Sequence, residues 1–333
     1  MKKVLFFAAA ALTMLAACNK TEVVYDNGPQ EIAMFAVSNV ATKAPVSGEN
    51  FLENDNMSIA AYLVSGDGVT AGNFFTETEF NKNGNYWTGG RYWPISTATV
   101  SFLAVTEKGG GKDMVEVTFN GNMASQATVE LTNNNVLDQN DVMYAAAQAT
   151  HTQGATYTPV PMEFKHALSW INFAVKTNLT SAQAAVTINS IKLNNAVTDG
   201  TLTVDYTNYD KVETPSLNAG WSNRTNRGSV VVPNSAANAE AGQQIVTNSF
   251  AAYGNGILVL PGESADSFTI NYTLDQGGAA QTYDYTYTFT PAVNWEMAHK
   301  YTYNISISFT GIEIDPTVKK WETEDATGVS LYK

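Results

Sequence analysis

Thr282-Tyr283-Asp284-Tyr285-Thr286-Tyr287-Thr288-Phe289 decides the fold class of this chain. Aromatic side chains recur at every second position, with Thr or Asp between them, so an extended backbone places all the aromatics on one face. The stretch predicts a β-strand whose aromatic face is buried against a partner sheet, as core packing rather than as a ligand platform.

The same period of two recurs on either side. Upstream it marks Ile32 to Val37, Ser58 to Val64, Thr99 to Val105, Val115 to Phe119, Ser169 to Lys176, Val186 to Leu193, Ser229 to Val232, Gly256 to Leu260 and Ser267 to Leu274; downstream it marks Tyr301 to Phe309. Gly, Asn, Asp or Pro follows each run within a few residues, which is the punctuation of short strands joined by turns. Helix-compatible composition is confined to Ala-rich segments near Ala145 and Ala236, and Asp141 to Ala147 reads equally well as a strand. The pattern predicts an all-β protein of β-sandwiches. Thr207 to Gly228, rich in Asn, Gly and Pro, reads as a linker. On that basis the expected division is an N-terminal sandwich over 44–210 and a C-terminal one over 211–333.

The N-terminus is a targeting segment. Lys2 and Lys3 precede an apolar run, Val4 to Met14, that is too short to span a bilayer, so residues 1–17 read as a signal peptide. Leu15-Ala16-Ala17-Cys18 resembles a lipobox, in which Cys18 accepts a diacylglycerol and becomes the mature N-terminus. The expected anchor is therefore lipid on Cys18, in the outer membrane, with residues 18–43 forming an N-terminal segment ahead of the first domain. Each buried CH₂ of such a tail adds about 0.8 kcal/mol to membrane attachment.

Charge and cysteine content exclude several function classes. The chain carries a formal net charge of −13, and loss of Lys2 and Lys3 with the signal moves it to −15. Nucleic acid is not an expected partner, because that interface begins with a basic patch. Cys18 is the single cysteine, so its acylation leaves no thiol for disulfides, zinc or nucleophilic catalysis.

No motif for catalysis, metal or cofactor emerges. His151, His166 and His299 have no metal-ligand spacing, and His166, flanked by Phe164 and Leu168, reads as a packed structural histidine. Gly109-Gly110-Gly111-Lys112-Asp113 lacks the layout of a phosphate loop and reads as a hairpin tip. Asp138, Asn140 and Asp141 lack the EF-hand pattern and read as a turn. The expectation is a non-enzyme; a secreted hydrolase on a β-sandwich is a third reading with no residue pattern in its favour.

The order of several blocks carries a family resemblance. Ala41-Thr42-Lys43-Ala44-Pro45 follows the first strand; Tyr86-Trp87, Tyr92-Trp93-Pro94 and Val100 to Val105 come next. Then come Asp141-Val142-Met143-Tyr144-Ala145, Phe164-Lys165-His166-Ala167-Leu168-Ser169, Trp295, Lys300 to Ile305, Ile312-Glu313-Ile314 and Trp321. In this order the chain resembles the fimbrillin-like lipoproteins of Bacteroidales, pilus subunits that join by donor-strand exchange. The resemblance implies two transthyretin-like, Greek-key β-sandwich domains, and a trypsin-like protease that removes the first strand. A neighbouring subunit's C-terminal strand then fills the gap. The family's best-known members are cut after Arg, whereas here no Arg precedes Arg91 and Lys43 is the basic residue at the comparable place.

Ile32, Met34 and Ala36 alternate with Ala33, Phe35 and Val37, so the first strand is apolar on both faces and calls for burial on both sides. Two readings remain open: an ordinary core strand, or the removable strand that the resemblance implies, with Ile32, Met34, Phe35 and Val37 as its anchors. Val329, Leu331 and Tyr332 make the tail 322–333 apolar enough to be the donor. The resulting expectation is a stalk subunit of a cell-surface fimbrium whose partners are other fimbrial subunits. The alternative is a tip or anchor subunit, or a free surface lipoprotein that binds glycans or a host protein through exposed aromatics such as Trp87, Trp93 or Trp221.

Overall fold

The computed structural model describes residues 29–37, 57–106, 115–120, 124–134, 141–155, 158–214, 216–234 and 243–320. Among them the named elements are all β-strands, numbered here in chain order. An 8-stranded sheet holds, in spatial order, β10 (Lys165–His166), β8 (Met143–His151), β5 (Ala98–Thr106), β2 (Met57–Gly66), β3 (Gly72–Asn83), β4 (Tyr86–Tyr92), β1 (Glu31–Val37) and β9 (Val160–Glu163). A 7-stranded sheet runs β18 (Ala280–Thr288), β17 (Ser267–Asp275), β12 (Ala185–Thr207), β7 (Gln126–Leu131) and β6 (Val115–Phe119), with β13 (Ser216–Val231) and β14 (Gln244–Ile245) also paired to β12. A 5-stranded sheet runs β15 (Ala251–Ala252), β11 (Ser169–Thr177), β19 (His299–Ser308) and β20 (Gly311–Lys320), with β16 (Ile257–Val259) on β11.

The 8-stranded sheet folds over on itself at β3. The body of this strand pairs with β2, from Gly72 opposite Leu63 to Phe80 opposite Met57, while its last residues, Asn81 to Asn83, pair with β4. Inward side chains from both halves then share one core containing Ile32, Met34, Phe80, Trp87, Phe102 and Met162. A Cβ on Gly89 would lie 2.6 Å from the Phe80 ring, so glycine is what lets β4 close over that ring.

A second core forms on the outer face of the same sheet. Ala98, Val100, Phe102 and Ala104 of β5 point into the first core, whereas Leu103 and Val105 meet Val129, Leu131, Leu202 and Val204 of the 7-stranded sheet. All nine residues of β5 are consequently buried, Thr99, Ser101 and Thr106 among them, as expected of a strand covered on both faces. The third core lies between the 7-stranded and 5-stranded sheets around Phe173, Ile191, Phe268, Trp295 and Tyr303.

β12 threads the second and third cores. Val186 and Ile188 face the third, but so do Ile191 and Leu193, which is a change of phase. A register shift against β17 between Ile188 and Ser190 supplies the extra residue. Asn189 sits at this shift and donates to Asn271 Oδ1 at 2.8 Å and Thr273 Oγ1 at 2.9 Å. Further along, Leu202, Val204 and Tyr206 face the second core.

Two expectations from the sequence are corrected. Thr207 to Gly228 is not a linker: Ser216–Val231 is a strand paired along β12, from Thr207 opposite Ser216 to Lys192 opposite Val231, so residue 210 lies in the turn of a hairpin. Its Asn- and Ser-rich composition reflects exposure, since Leu217, Ala219 and Trp221 alternate inward while the residues between them face water. The aromatic face of β18 is only partly covered. Phe289 is buried and Tyr285 and Tyr287 pack half-buried against the third core, but Tyr283 is 41% exposed, because β18 is the outermost strand of its sheet. The segment around Ala145 is strand β8; Ala236 lies outside the described residues.

Candidate functional site

The first strand is the penultimate strand of the 8-stranded sheet, lodged between β4 and the short edge strand β9. β1 pairs antiparallel with β4, through Glu31–Tyr92, Ala33–Thr88 and Met34–Trp87, and parallel with β9, from Met34–Val160 to Val37–Glu163. Ile32 and Met34 are completely buried and Ala33 is 6% exposed, while Phe35 is half-buried on the opposite face from Met34. The doubly apolar pattern of the sequence thus corresponds to a strand paired along both edges and packed on its inner face.

The entry to β1 is fixed by polar contacts. The Trp93 amide donates to Gln30 O at 2.9 Å. A register shift between Glu31 and Ala33 turns the Glu31 side chain so that Oε1 accepts from the Gly90 amide at 2.9 Å. Gly90 has φ 64°, a left-handed conformation that glycine adopts without steric cost.

The exit side is weaker by construction. β9 is a four-residue edge strand, its ladder with β1 is parallel, and Phe35 lies opposite Pro161, which has no N–H to give. Removing β1 would bare one edge each of β4 and β9 and vacate the space filled by Ile32 and Met34. Burial of those two side chains contributes about 1.5–3 kcal/mol each.

His166, read as structural from the sequence, is buried at β10. Its Nδ1 lies 2.9 Å from Asp141 Oδ2, and Ala167 N donates to Val142 O at 2.8 Å, so this pair fastens the chain where it leaves the 8-stranded sheet for β11. Asp141 is therefore the partner of His166 across 25 positions of sequence rather than a simple turn residue. Sequence patterns at fixed short spacing do not register such a pair. Among the described residues no group of three or more His, Cys, Asp or Glu is placed to hold a metal ion.

The aromatics considered as an exposed glycan surface are mostly internal. Trp87 is 2% exposed and Trp93 6%, each inside the first core. Trp221 is half-buried and donates Nε1–H to Ala167 O at 2.7 Å. Cys18, Lys43, Asp138, Asn140, the Gly109 to Asp113 tip and the tail residues Val329, Leu331 and Tyr332 lie outside the described residues.

The model of the fimbrillin-like family matches residues 42–321. Solved structures similar to this chain include a putative cell adhesion protein from Bacteroides ovatus, 15% identical with a TM-score of 0.49, covering 89% of this chain and 99% of that one. Another is a putative cell adhesion protein from Bacteroides uniformis, 18% identical with a TM-score of 0.47, covering 87% and 98%. The fimbrial anchor protein Mfa2 from Porphyromonas gingivalis is 8% identical with a TM-score of 0.35, covering 89% and 99%. No curated protein matches the chain.

Proposed function

We propose that this chain, which belongs to the fimbrillin-like family, is a non-catalytic structural subunit of a cell-surface fimbria that polymerises by strand exchange at the β1 position. The observation that carries the reading is the place of β1: an N-terminal strand lodged between β4 and β9, with Ile32 and Met34 completely buried. In the precursor this strand satisfies the ladder that would otherwise recruit a partner. Lipid on Cys18 holds the precursor at the outer membrane, and a trypsin-like protease hydrolyses the peptide bond after Lys43. Ile32, Met34, Phe35 and Val37 then leave with their strand, and a neighbouring subunit's tail supplies backbone hydrogen bonds and Val329, Leu331 and Tyr332 in their place.

The tail follows directly on β20, an edge strand paired with β19 alone among the described residues, most of whose side chains are exposed. Ile312 and Ile314 hold β20 against the third core, and the proposed donor is the segment of sequence that continues beyond it. The contact is head-to-tail and does not close, so it generates filaments rather than rings.

The test is to treat purified protein with a trypsin-like protease and separate the products on a gel without boiling. A ladder of oligomers is expected from the natural sequence, and none from Lys43→Ala or from a chain truncated after Trp321. A truncated chain that makes the same ladder would remove the tail as donor and favour a tip, anchor or free surface lipoprotein.

A further inference from the structure

The long edge strands of this molecule differ in how they discourage addition of another strand. An open edge presents unpaired N–H and C=O groups, and proteins blunt it with Lys, Pro, bulges or charge. β13 carries Arg224 and Arg227 and is broken by left-handed Asn223 and Asn226, at φ 47° and 46°, with a register shift opposite Asp199 to Thr201. β20 carries Pro316, Lys319 and Lys320. β18 has only one of these devices, the single charge of Asp284. Its ladder with β17 runs unbroken from Ala280 to Thr288, it contains no Lys, Arg or Pro, and among the described residues it pairs with β17 alone.

We propose that β18 is a docking edge for a second copy of this chain, joined antiparallel about a two-fold axis at Tyr285. The register follows from the side chains. A two-fold axis perpendicular to the sheet keeps Tyr283, Tyr285 and Tyr287 of both copies on one face. Centring it on Asp284 would set two carboxylates opposite each other, which is destabilising. Centring it on Tyr285 sets Tyr285 opposite itself, Tyr283 opposite Tyr287, and Asp284 opposite Thr286, whose hydroxyl can donate to the carboxylate. Aromatic pairs directly across an antiparallel ladder are stabilising. The half-exposed tyrosines, which the protein's own outermost strand leaves uncovered, gain partners from the second copy. Such a contact is isologous and closes on itself, so it joins subunits laterally and is independent of the head-to-tail contact at β1.

Because Cys18 is the single cysteine, a Cys18→Ser background gives a chain free of competing thiols. In that background, Asp284→Cys and Thr286→Cys proteins are purified separately, mixed and oxidised with copper phenanthroline; both positions are exposed, so neither change disturbs a core. The expected result is a disulfide-linked dimer in the mixture, well above either variant alone and above a Thr225→Cys control on β13. Sedimentation velocity of the uncross-linked protein is expected to reveal a species of doubled mass that grows with concentration and is lost in Tyr285→Lys. Cross-linking no stronger than the Thr225→Cys control, equal cross-linking of either variant alone, or a monomer at all concentrations would overturn the proposal.

Discussion

Met34 stands directly opposite Trp87 across the β1–β4 ladder, and both side chains are sealed from solvent in the first core. Met34 is also paired with Val160 of β9, so one residue of the N-terminal strand joins two strands that have no other link at this point of the sheet.

Met34→Ala leaves a cavity against Trp87 and is expected to lower stability by about 2–5 kcal/mol. Urea denaturation followed by tryptophan fluorescence measures it. If the strand is removable, the same substitution should make no difference once protease has trimmed the protein; an equal effect before and after trimming would mean that β1 stays in place.

The buried His166–Asp141 pair is expected to behave as a fastening. Asp141→Ala leaves His166 Nδ1 without its carboxylate partner and should cost about 1–3 kcal/mol. The double variant with His166→Gln should cost less than the two single changes together, because the two residues share one interaction. Additive costs in chemical denaturation would show that each residue acts through other neighbours.

Alkali should weaken the third core. Burial pushes the Tyr303 phenol from 10.0 up to about 12, with the Trp295 indole N–H, 3.2 Å away, working in the opposite direction. Burial likewise pushes Tyr253 to about 12. The fold holds the neutral phenol, so this contribution is complete below pH 10 and is lost as pH rises from 10 towards 12. Tyr303→Phe is expected to unfold at higher pH than the natural protein while losing about 1–3 kcal/mol at neutral pH, because the buried Trp295 N–H is left without its acceptor. Unfolding monitored through tyrosinate absorbance checks both parts.

Strands with an apolar rhythm were legible in the sequence. β1, β5, β11, β17 and β19 fall where the apolar rhythm places them, whereas Val186 to Leu193 reads as one period-two run and the shift at Asn189 within it emerges only from the pairing with β17. β3, β4 and β13 were not legible, because their exposed faces are filled with Asn, Lys, Gly and Ser, the vocabulary of turns. In β13 the ambiguity is physical, since Asn223 and Asn226 adopt turn-like left-handed conformations within a strand. The candidate site divides in the same way. Local composition marks β1 as an apolar strand, but its place between β4 and β9 depends on partners more than 50 residues away, and the approach of Asp141 to His166 is equally non-local.

β12 is the longest strand among the described residues. Its 23 residues extend roughly 75 Å at about 3.3 Å per residue, and one uninterrupted backbone supplies side chains to both the second and third cores. A strand cannot slip by one residue without turning its whole apolar set to the wrong face, so each core holds its own stretch of β12 in register, with shifts opposite β13 between Leu193 and Ala196 and between Asp199 and Thr201 separating the two. Because the same backbone belongs to both cores, a tensile load entering through one is carried to the other along a covalent chain rather than across a hinge.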